Sequence, residues 1–301
     1  MTKVAELYGL PTFQEADWIA VTTAQQCPFL SRKCLKNRKS EPDLTIGTCT
    51  MTYGRVLNPV MICPFRLLER SRIFTDCLHL LTLHEPGNEI RIIPELNVPG
   101  GSIDYCLVSV REGKPRDFVG IELQTLDSTG TVWPERQRFL RACGIQVRDQ
   151  AVKSNKRFGM NWKMTAKTIL VQLHHKITTF EHLRKHMVLV TQDCLLEYMR
   201  REFNFDHIMG VRDGDSMHFH AYELLKGAAA YRLVLKERVS TDDIGIGQCL
   251  GLQVSAKVEL RVILSQIEAK LPQSILLTIG GAAAVPVSST SAAEAAGDGE
   301  N

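Results

Sequence analysis

The sequence lacks long apolar runs, a strong net charge and closely paired cysteines, and each absence excludes a class of protein. No stretch reaches the roughly 18 consecutive apolar residues of a membrane-spanning helix, so we expect no membrane association. The beginning of the chain contains Glu6, Glu15 and Asp17 and no long apolar segment, which argues against a secretory signal and predicts a cytoplasmic protein. A net charge of +3 does not indicate nucleic-acid binding over the whole surface, although it permits a local basic groove.

The composition is that of a globular protein. The 301 residues are 44% hydrophobic and 23% charged, enough for one large domain or two ordinary ones. The nine cysteines are odd in number and occur in a chain without a secretory signal, which argues against a disulfide framework. Five of them are scattered in mostly apolar surroundings, and we predict that they lie in the core: Cys77, Cys106, Cys143, Cys194 and Cys249.

Interleaved helix and strand patterns predict an α/β fold with a mixed sheet and a central antiparallel hairpin flanked by helices. Residues 102–110 and 117–126 are typical of strands, and the short connection between them contains Gly and Pro, which favours a hairpin. A long helix is predicted near 161–185 from apolar residues at three- and four-residue steps. In that helix we assign Lys163, Lys167 and Lys176 to positions off the apolar stripe.

Four segments are expected along the chain. Residues 1–26 are predicted to form short helices, and residues 27–66 form a cysteine-rich subdomain with too little apolar content for a core of its own. Residues 67–279 form the main domain. Residues 280–301 consist mainly of small residues with few charges, which predicts a disordered tail.

Glu122 and Gln124 are polar residues within the otherwise apolar strand 118–126. Side chains alternate along a strand, so both point to the same face, where a carboxylate and an amide cost free energy unless they bind something. Folding the hairpin about its middle sets Asp104 roughly opposite residue 123, so Asp104 and Glu122 should meet. Oxygen ligands suit a hard divalent cation such as Mg²⁺, and we predict a centre with one or two metal ions.

A salt-bridged hairpin is the alternative, with Arg91, Arg111 or Arg116 paired to the acids. Spacing alone gives the two readings equal weight. The apolar setting of Glu122 favours the metal centre, because a solvated acid needs no such strand around it.

The spacing of Asp104 and Glu122 is that of a metal-dependent nuclease core, in which a lysine usually stands where this chain has Gln124. An amide exchanges no proton but holds water by hydrogen bonds, so the activation of water would depend mainly on the metal. Glu95 precedes a Gly-Gly loop. It is either a further acid of this site or a surface acid at a strand end.

Four further cysteines crowd the first part of the chain. Cys27, Cys34, Cys49 and Cys63 are separated by 6, 14 and 13 residues. Four thiolates can complete a tetrahedral structural site for zinc or iron. No Cys-x-x-Cys pair occurs, but the tripeptide Cys-Pro-Phe begins at both residue 27 and residue 63, which indicates two equivalent corners. The alternative is four buried free thiols.

Basic residues accumulate before and within the start of the predicted long helix. Basic side chains and free amides at a helix start both suit phosphate, although a solvated surface is the commoner explanation. The proposed phosphate contacts are Lys156, Arg157, Lys163 and Lys167. His218 and His220 share one face of a predicted strand, and we favour a core or surface role over a second metal site.

Taken together, these features resemble NotI-type type II restriction endonucleases. The resemblance covers most of residues 27–190 and is much weaker beyond residue 200. Its elements are Cys27-Pro28-Phe29-Leu30, Cys34, Gly47-Thr48-Cys49, Ile62-Cys63-Pro64, Gly100-Gly101, Ile103-Asp104-Tyr105 and Glu122-Leu123-Gln124-Thr125 followed by Asp127 and Gly130.

The resemblance implies a PD-(D/E)XK nuclease core in which Gln replaces the usual Lys. Asp104, Glu122 and Gln124 fall on the family's catalytic triad, and Glu95 falls on its additional acid. The family's four-cysteine centre holds iron, whereas the spacing alone leaves iron and zinc open. Residues 67–279 would then form the nuclease and DNA-recognition domain.

The resemblance also implies a substrate and partners. A homodimer would cut both strands of a GC-rich, GGCC-containing palindrome in double-stranded DNA, leaving 5′-phosphate ends and 5′ overhangs. A cognate DNA methyltransferase is expected as a genetic neighbour. Two rival functions are a metal-stapled DNA-binding protein that no longer cuts and a repair or structure-specific nuclease on the same core. The first rival ranks lower because every acid of the motif is present.

Overall fold

The computed structural model describes residues 3–153, 158–212, 214–252 and 260–270. The chain divides into two units, residues 1–252 and residues 253–301. In the second unit the described part is a single helix, Leu260–Lys270. The fold and the site described below belong to the first unit.

The strands and helices are numbered in chain order. The strands are β1 (Val4–Leu7), β2 (Leu10–Pro11), β3 (Gln26–Cys27), β4 (Arg32–Lys33), β5 (Asn37–Arg38), β6 (Glu41–Thr45), β7 (Thr48–Tyr53), β8 (Asn58–Met61), β9 (Glu89–Val98), β10 (Gly101–Arg111), β11 (Lys114–Gln124), β12 (Ser128–Thr129), β13 (Gly159–Met160), β14 (His186–Gln192), β15 (Met217–Lys226) and β16 (Tyr231–Thr241). The helices are α1 (Trp18–Ala24), α2 (Arg72–Cys77), α3 (Trp133–Ala142), α4 (Asp149–Val152), α5 (Trp162–His182), α6 (Asp193–Glu202), α7 (Asp243–Cys249) and α8 (Leu260–Lys270), with 3₁₀ helices at Pro64–Ser71 and Leu78–Leu80.

A six-stranded sheet in the order β16-β15-β14-β11-β10-β9 forms the centre of the first unit. The pairs β11–β14 and β14–β15 are parallel, and the other neighbours are antiparallel. The apolar run Met187–Val190 of β14 is fully buried, as expected for a parallel strand that is covered on both faces. The predicted mixed α/β class is confirmed.

Strands β10 and β11 form an antiparallel hairpin in the middle of this sheet, with Cys106 opposite Gly120. The connection is the two-residue turn Glu112-Gly113, and both residues have left-handed backbone angles, φ 53 and φ 73. Such turns match the twist of the paired strands and favour glycine. The predicted antiparallel pairing of these two segments is therefore present.

Helix α5 covers one face of the sheet near β10 and β14. Its buried residues include Ile169, Leu173 and Phe180, as the apolar spacing predicts. The assignment of Lys176 to a position off this stripe was wrong, because Lys176 is only 6% exposed. It lies seven residues after Ile169 and three after Leu173, so it projects from the same helical face. No helix within the described ranges is long and apolar enough to span a membrane.

The N-terminal residues form strands where we predicted helices. β1 is buried along its whole length and pairs with β7 in the four-stranded sheet β2-β1-β7-β8. Within residues 3–26 the described helix is α1. Pairing with a distant strand overrides the local helical preference here. Buried Glu6 of β1 accepts a hydrogen bond from Arg66 Nε at 2.8 Å.

The predicted four-segment organisation stays a prediction. Val60 and Ile62, from the cysteine-rich segment, lie in the same apolar cluster as Leu170 of α5, so this segment shares a core with the rest of the unit. The tail 280–301 lies outside the described residues. Of the five cysteines predicted to lie in the core, Cys77, Cys106 and Cys249 are buried and Cys194 is half-buried. The assignment of Cys143 was wrong, because it follows the end of α3 at the surface.

His218 and His220 project from β15 into the interior and are 3% and 0% exposed. Burial is the largest cause that lowers the pKa of His218 to about 4 and that of His220 to about 3. Positive neighbours add to this effect. The groups that face the pair are Cys77, whose Sγ lies 3.7 Å from Nδ1 of His220, together with His79, His186 and Arg238.

We expect His218 and His220 to contribute a fall in the free energy of unfolding as the pH is lowered from about 6.5 to about 4. Histidines of the unfolded chain bind protons in this window, whereas His218 and His220 stay neutral in the fold, so acid favours unfolding. The variant His220→Phe should flatten this dependence in urea titrations at several pH values. The exposed His182 offers the control His182→Gln, which should leave the slope unchanged. Equal slopes for wild type and His220→Phe would contradict this account.

Candidate active site

Two acids meet across the central hairpin. Tyr105 pairs with Ile121, so the preceding residue of β10, Asp104, stands beside Glu122 of β11. The main-chain N–H of Leu123 donates to Oδ2 of Asp104 at 2.8 Å, which ties that carboxylate to β11. The structure therefore brings Asp104 and Glu122 together within one residue of the register that the sequence predicts.

A third acid, Glu95, lies on the other side of Asp104. On either side of Asp104, Ile103 pairs with Leu96 and Tyr105 pairs with Pro94. Asp104 and Glu95 therefore stand opposite each other on neighbouring strands. Glu95 is exposed on the edge strand β9 and has a left-handed backbone, φ 52. A non-glycine residue in this conformation costs free energy, about 1–3 kcal/mol.

Glu122 is buried and forms an ion pair with a lysine of α5. Lys176 Nζ donates to Oε1 of Glu122 at 2.6 Å, and each side chain is only 7% exposed. Burial is the largest cause that raises the pKa of Glu122 to about 7. The hydrogen bond and charge of Lys176 oppose this shift, and the charge of Asp104 adds to it.

Asp104 remains accessible to solvent, yet its pKa is also raised. The largest cause is partial loss of hydration, followed by the opposing effects of the Leu123 N–H and of Lys176, and then by the repulsion of Glu95. The positive charge of Lys176 thus acts on both Asp104 and Glu122. The two carboxylates and the ammonium form one electrostatic cluster.

The turn between β9 and β10 approaches α5 at Lys176 itself. Gly100 and Gly101 have φ 92 and φ 141. A Cβ atom on Gly100 would lie 2.2 Å from the carbonyl oxygen of His175, and one on Gly101 would lie 3.1 Å from Cε of Lys176. The absence of side chains at this turn lets it close onto the helix beside the acids.

Gln124 is half-buried, and its amide group donates to the carbonyl oxygen of Thr125 at 2.6 Å. The side chain that contacts Glu122 is Lys176, which the sequence analysis did not include in the site. The sequence did contain an indication that Lys176 belongs to the site, because the helical spacing puts Lys176 on the apolar face of α5. A charged residue on a buried face implies a partner of opposite charge.

Two arginines of the alternative reading, Arg91 and Arg111, have other partners. Arg91 bonds to Glu89 at 2.6 Å, and Arg111 bonds to Glu85 at 2.6 Å. The described partner of Glu122 is Lys176, so the acid is paired across the sheet–helix interface and not along the hairpin.

The four clustered cysteines are free thiols, of which Cys27, Cys49 and Cys63 are buried and Cys34 is half-buried. Burial is the main cause that raises the pKa of the three buried thiols, and neighbouring thiols of the cluster raise each of them further. The four side chains are therefore close enough to interact electrostatically.

Both Cys-Pro-Phe segments form the same kind of turn. The carbonyl of Cys27 accepts from the N–H of Leu30 at 3.3 Å, and the carbonyl of Cys63 accepts from the N–H of Arg66 at 3.0 Å. The N–H of Phe29 donates to the Cys27 thiol, and the N–H of the matching Phe65 donates to the Cys63 thiol. These bonds favour the thiolate form of both cysteines.

Neither the acids nor the cysteines form a closed metal site in the part of the chain that the structure describes. No group of three or more His, Cys, Asp or Glu side chains there is arranged to hold a metal ion. Lys163 and Lys167 are exposed on α5, where they are accessible to a phosphate, whereas Lys156 and Arg157 lie outside the described residues.

Comparison with known proteins gives one family. The model of the family described as "Restriction endonuclease NotI" matches residues 20–233. This segment contains Glu95, Asp104, Glu122 and Lys176, and also the four clustered cysteines. No curated protein matches the chain.

The variant Gly100→Ala should destabilise the protein more than Gly87→Ala. Both glycines have φ 92, so each alanine incurs the strain of a left-handed backbone, about 1–3 kcal/mol. A Cβ on Gly87 meets no atom within 4 Å, whereas one on Gly100 meets the His175 carbonyl. Urea denaturation measures the difference. Equal losses would mean that the turn does not need this close approach to α5.

Proposed function

The chain belongs to the NotI restriction endonuclease family and is a type II site-specific deoxyribonuclease, and we propose that Asp104, Glu122, Glu95 and Gln124 form its catalytic centre with Mg²⁺. The observation that carries this proposal is the meeting of Asp104 with the buried Glu122 across the hairpin. The same arrangement supports a PD-(D/E)XK type of core.

The donor atoms fit Mg²⁺, which prefers carboxylate oxygens and water. Leu123 and Lys176 each bond one oxygen, Oδ2 of Asp104 and Oε1 of Glu122. We propose that the second oxygen of each carboxylate holds the cation. When bound, Mg²⁺ neutralises negative charge on the phosphodiester and lowers the pKa of water.

The remaining two residues have supporting roles in this proposal. Glu95, exposed beside Asp104, would bind a further cation or its water ligands. Gln124 follows Glu122 on the same face of β11, and its amide would hold the attacking water by hydrogen bonds. This role requires the amide to leave its present partner, the carbonyl of Thr125.

The proposed substrate is a GC-rich, GGCC-containing palindrome in double-stranded DNA, cut to 5′-phosphate ends with 5′ overhangs. Two copies related by a two-fold axis would each cut one strand, and we therefore propose a homodimer. Exposed Lys163 and Lys167 of α5, together with Lys156 and Arg157, would contact phosphates. We further propose a cytoplasmic location, where the DNA is, and a cognate DNA methyltransferase as genetic neighbour.

The cysteines Cys27, Cys34, Cys49 and Cys63 are proposed to hold a structural iron ion, with zinc as the alternative. The donor set suits either metal. Main-chain N–H groups directed at the sulfurs support this proposal, since they stabilise thiolates as metal ligands: the donors are Phe29 and Leu30 for Cys27, Phe65 for Cys63 and Gly9 for Cys49.

Purified protein should cut plasmid DNA into discrete fragments with Mg²⁺ and leave it intact with a chelator. Glu122→Ala and Asp104→Ala should each lower kcat by about 10³-fold, because each loses a carboxylate of the cation site. The matched control is Asp117→Asn, which changes an equally buried carboxylate at the other end of β11. It should alter stability and leave the cutting rate unchanged. Fragment sequencing gives the overhang.

Other outcomes would contradict the proposed function. A smear or structure-dependent nicking favours the repair nuclease, and binding without cutting favours the inactive DNA-binding protein. Undiminished cutting by Glu122→Ala would remove Glu122 from the catalytic centre.

Metal analysis of the purified chain should find iron, or zinc, bound by each protein molecule. The variants Cys49→Ser and Cys63→Ser should lose this metal and unfold at lower temperature, because a structural metal stabilises the fold that binds it. The exposed Cys143 offers the control Cys143→Ser, which should keep both metal and stability. Protein that contains neither iron nor zinc, purified without chelators, would refute the structural centre.

A further inference from the structure

We propose that Lys176 supplies, from helix α5, the positive charge that the β11 motif lacks at Gln124. In this role Lys176 is a positioning residue, which acts through Glu122 by holding that carboxylate and its local charge in place. The inference rests on the nuclease function proposed above.

The contact geometry puts the ammonium group within the acidic cluster. Lys176 Nζ lies 2.6 Å from Oε1 of Glu122, and its charge also acts on Asp104. Glu122 and Gln124 point to the same face of β11. A lysine at position 124 would therefore deliver its ammonium toward the same cluster from the strand, as Lys176 does from the helix.

Stability alone does not account for a lysine at this position. Its helical neighbours on the buried face are Leu173, Ile177 and Phe180. Burying an ion pair costs desolvation energy that its attraction often fails to offset, and apolar residues of similar volume are frequently as stable or more so. An apolar pair would fill the space between α5 and β11 without that cost, which favours a functional reason for the charge.

The surrounding chain leaves room for the lysine. The turn Gly100-Gly101 passes over the residue, and even a Cβ at Gly101 would lie 3.1 Å from Cε of Lys176. The close turn and the buried stem hold the ammonium in one place. A fixed charge that needs no rearrangement during the reaction keeps the electrostatic field at Glu122 and Asp104 preorganised.

The test compares wild type with Lys176→Met, which removes the charge and keeps most of the volume. We expect kcat to fall by about 10²–10³-fold, the usual loss for one preorganised donor. Affinity for a DNA duplex, measured with Ca²⁺ in place of Mg²⁺ under conditions where DNA is not cut, should stay within about threefold, which is less than 1 kcal/mol. Lys176→Arg should retain part of the activity.

A matched control is present on the same sheet. Lys185 pairs with the buried Asp117 at 2.5 Å, at the opposite end of β11 from Glu122. The variant Lys185→Met removes a comparable ion pair and should lower thermal stability while leaving kcat unchanged. A loss of kcat in both variants alike would reduce Lys176 to a structural role and overturn the inference.

Moving the charge back to the strand gives the sharpest readout. Adding Gln124→Lys to Lys176→Met should recover cutting by at least about tenfold, or 1.4 kcal/mol, because it restores an ammonium to the cluster. If Lys176 were merely structural, the double variant would regain thermal stability without this recovery of kcat. If Lys176→Met folds poorly, Lys176→Arg decides, because it keeps the charge: a folded Lys176→Arg protein that has lost all cutting overturns the inference.

The outcomes separate this inference from the proposed function. If the wild-type protein does not cut DNA, both the proposed nuclease function and the proposed role of Lys176 are contradicted. A wild-type protein that cuts, combined with an unchanged kcat for Lys176→Met, leaves the nuclease function intact and removes Lys176 from it.

Discussion

The register of the β10–β11 hairpin is the constraint on which the site depends. Ser109 pairs with Asp117 but Val110 pairs with Pro115, so Arg116 is an extra residue in β11, a β-bulge. If the register ran without a bulge from the pair Arg111–Lys114 next to the turn, Asp104 would stand opposite the apolar Ile121. Asp104 and Glu122 would then point to opposite faces of the sheet. One inserted residue therefore brings both carboxylates to the face that α5 covers.

The sequence predicted the hairpin, the paired acids and the cysteine cluster because each has a local pattern. The position of Lys176 was predicted wrongly, because a lysine in an amphipathic helix is normally assigned to the solvent-exposed face. Lys176 is buried because Glu122 lies next to it in the fold. The strand β1 was missed for a related reason: residues 4–7 become a strand by pairing with β7, more than forty residues away. Contacts between distant segments decide both cases.

The cysteine-rich segment packs behind β11, the strand that carries Glu122. Phe29 and Phe65, one from each Cys-Pro-Phe corner, pack against an apolar cluster that contains Ile121 and Leu123. These two residues point away from Glu122, because side chains alternate along β11. A metal held by the four thiols would thus support β11 from the face opposite Glu122.

Buried ion pairs in this protein differ in how completely their acids are bonded. Asp117 accepts N–H groups from Leu83 and Phe118 in addition to Lys185, which is the environment of a structural carboxylate. Glu122 is held by Lys176, and burial raises its pKa to about 7 despite that partner. A carboxylate whose charge is this poorly compensated gains most from a second cation. The same property that makes the pair a weak source of stability favours the cation site that we propose at Glu122.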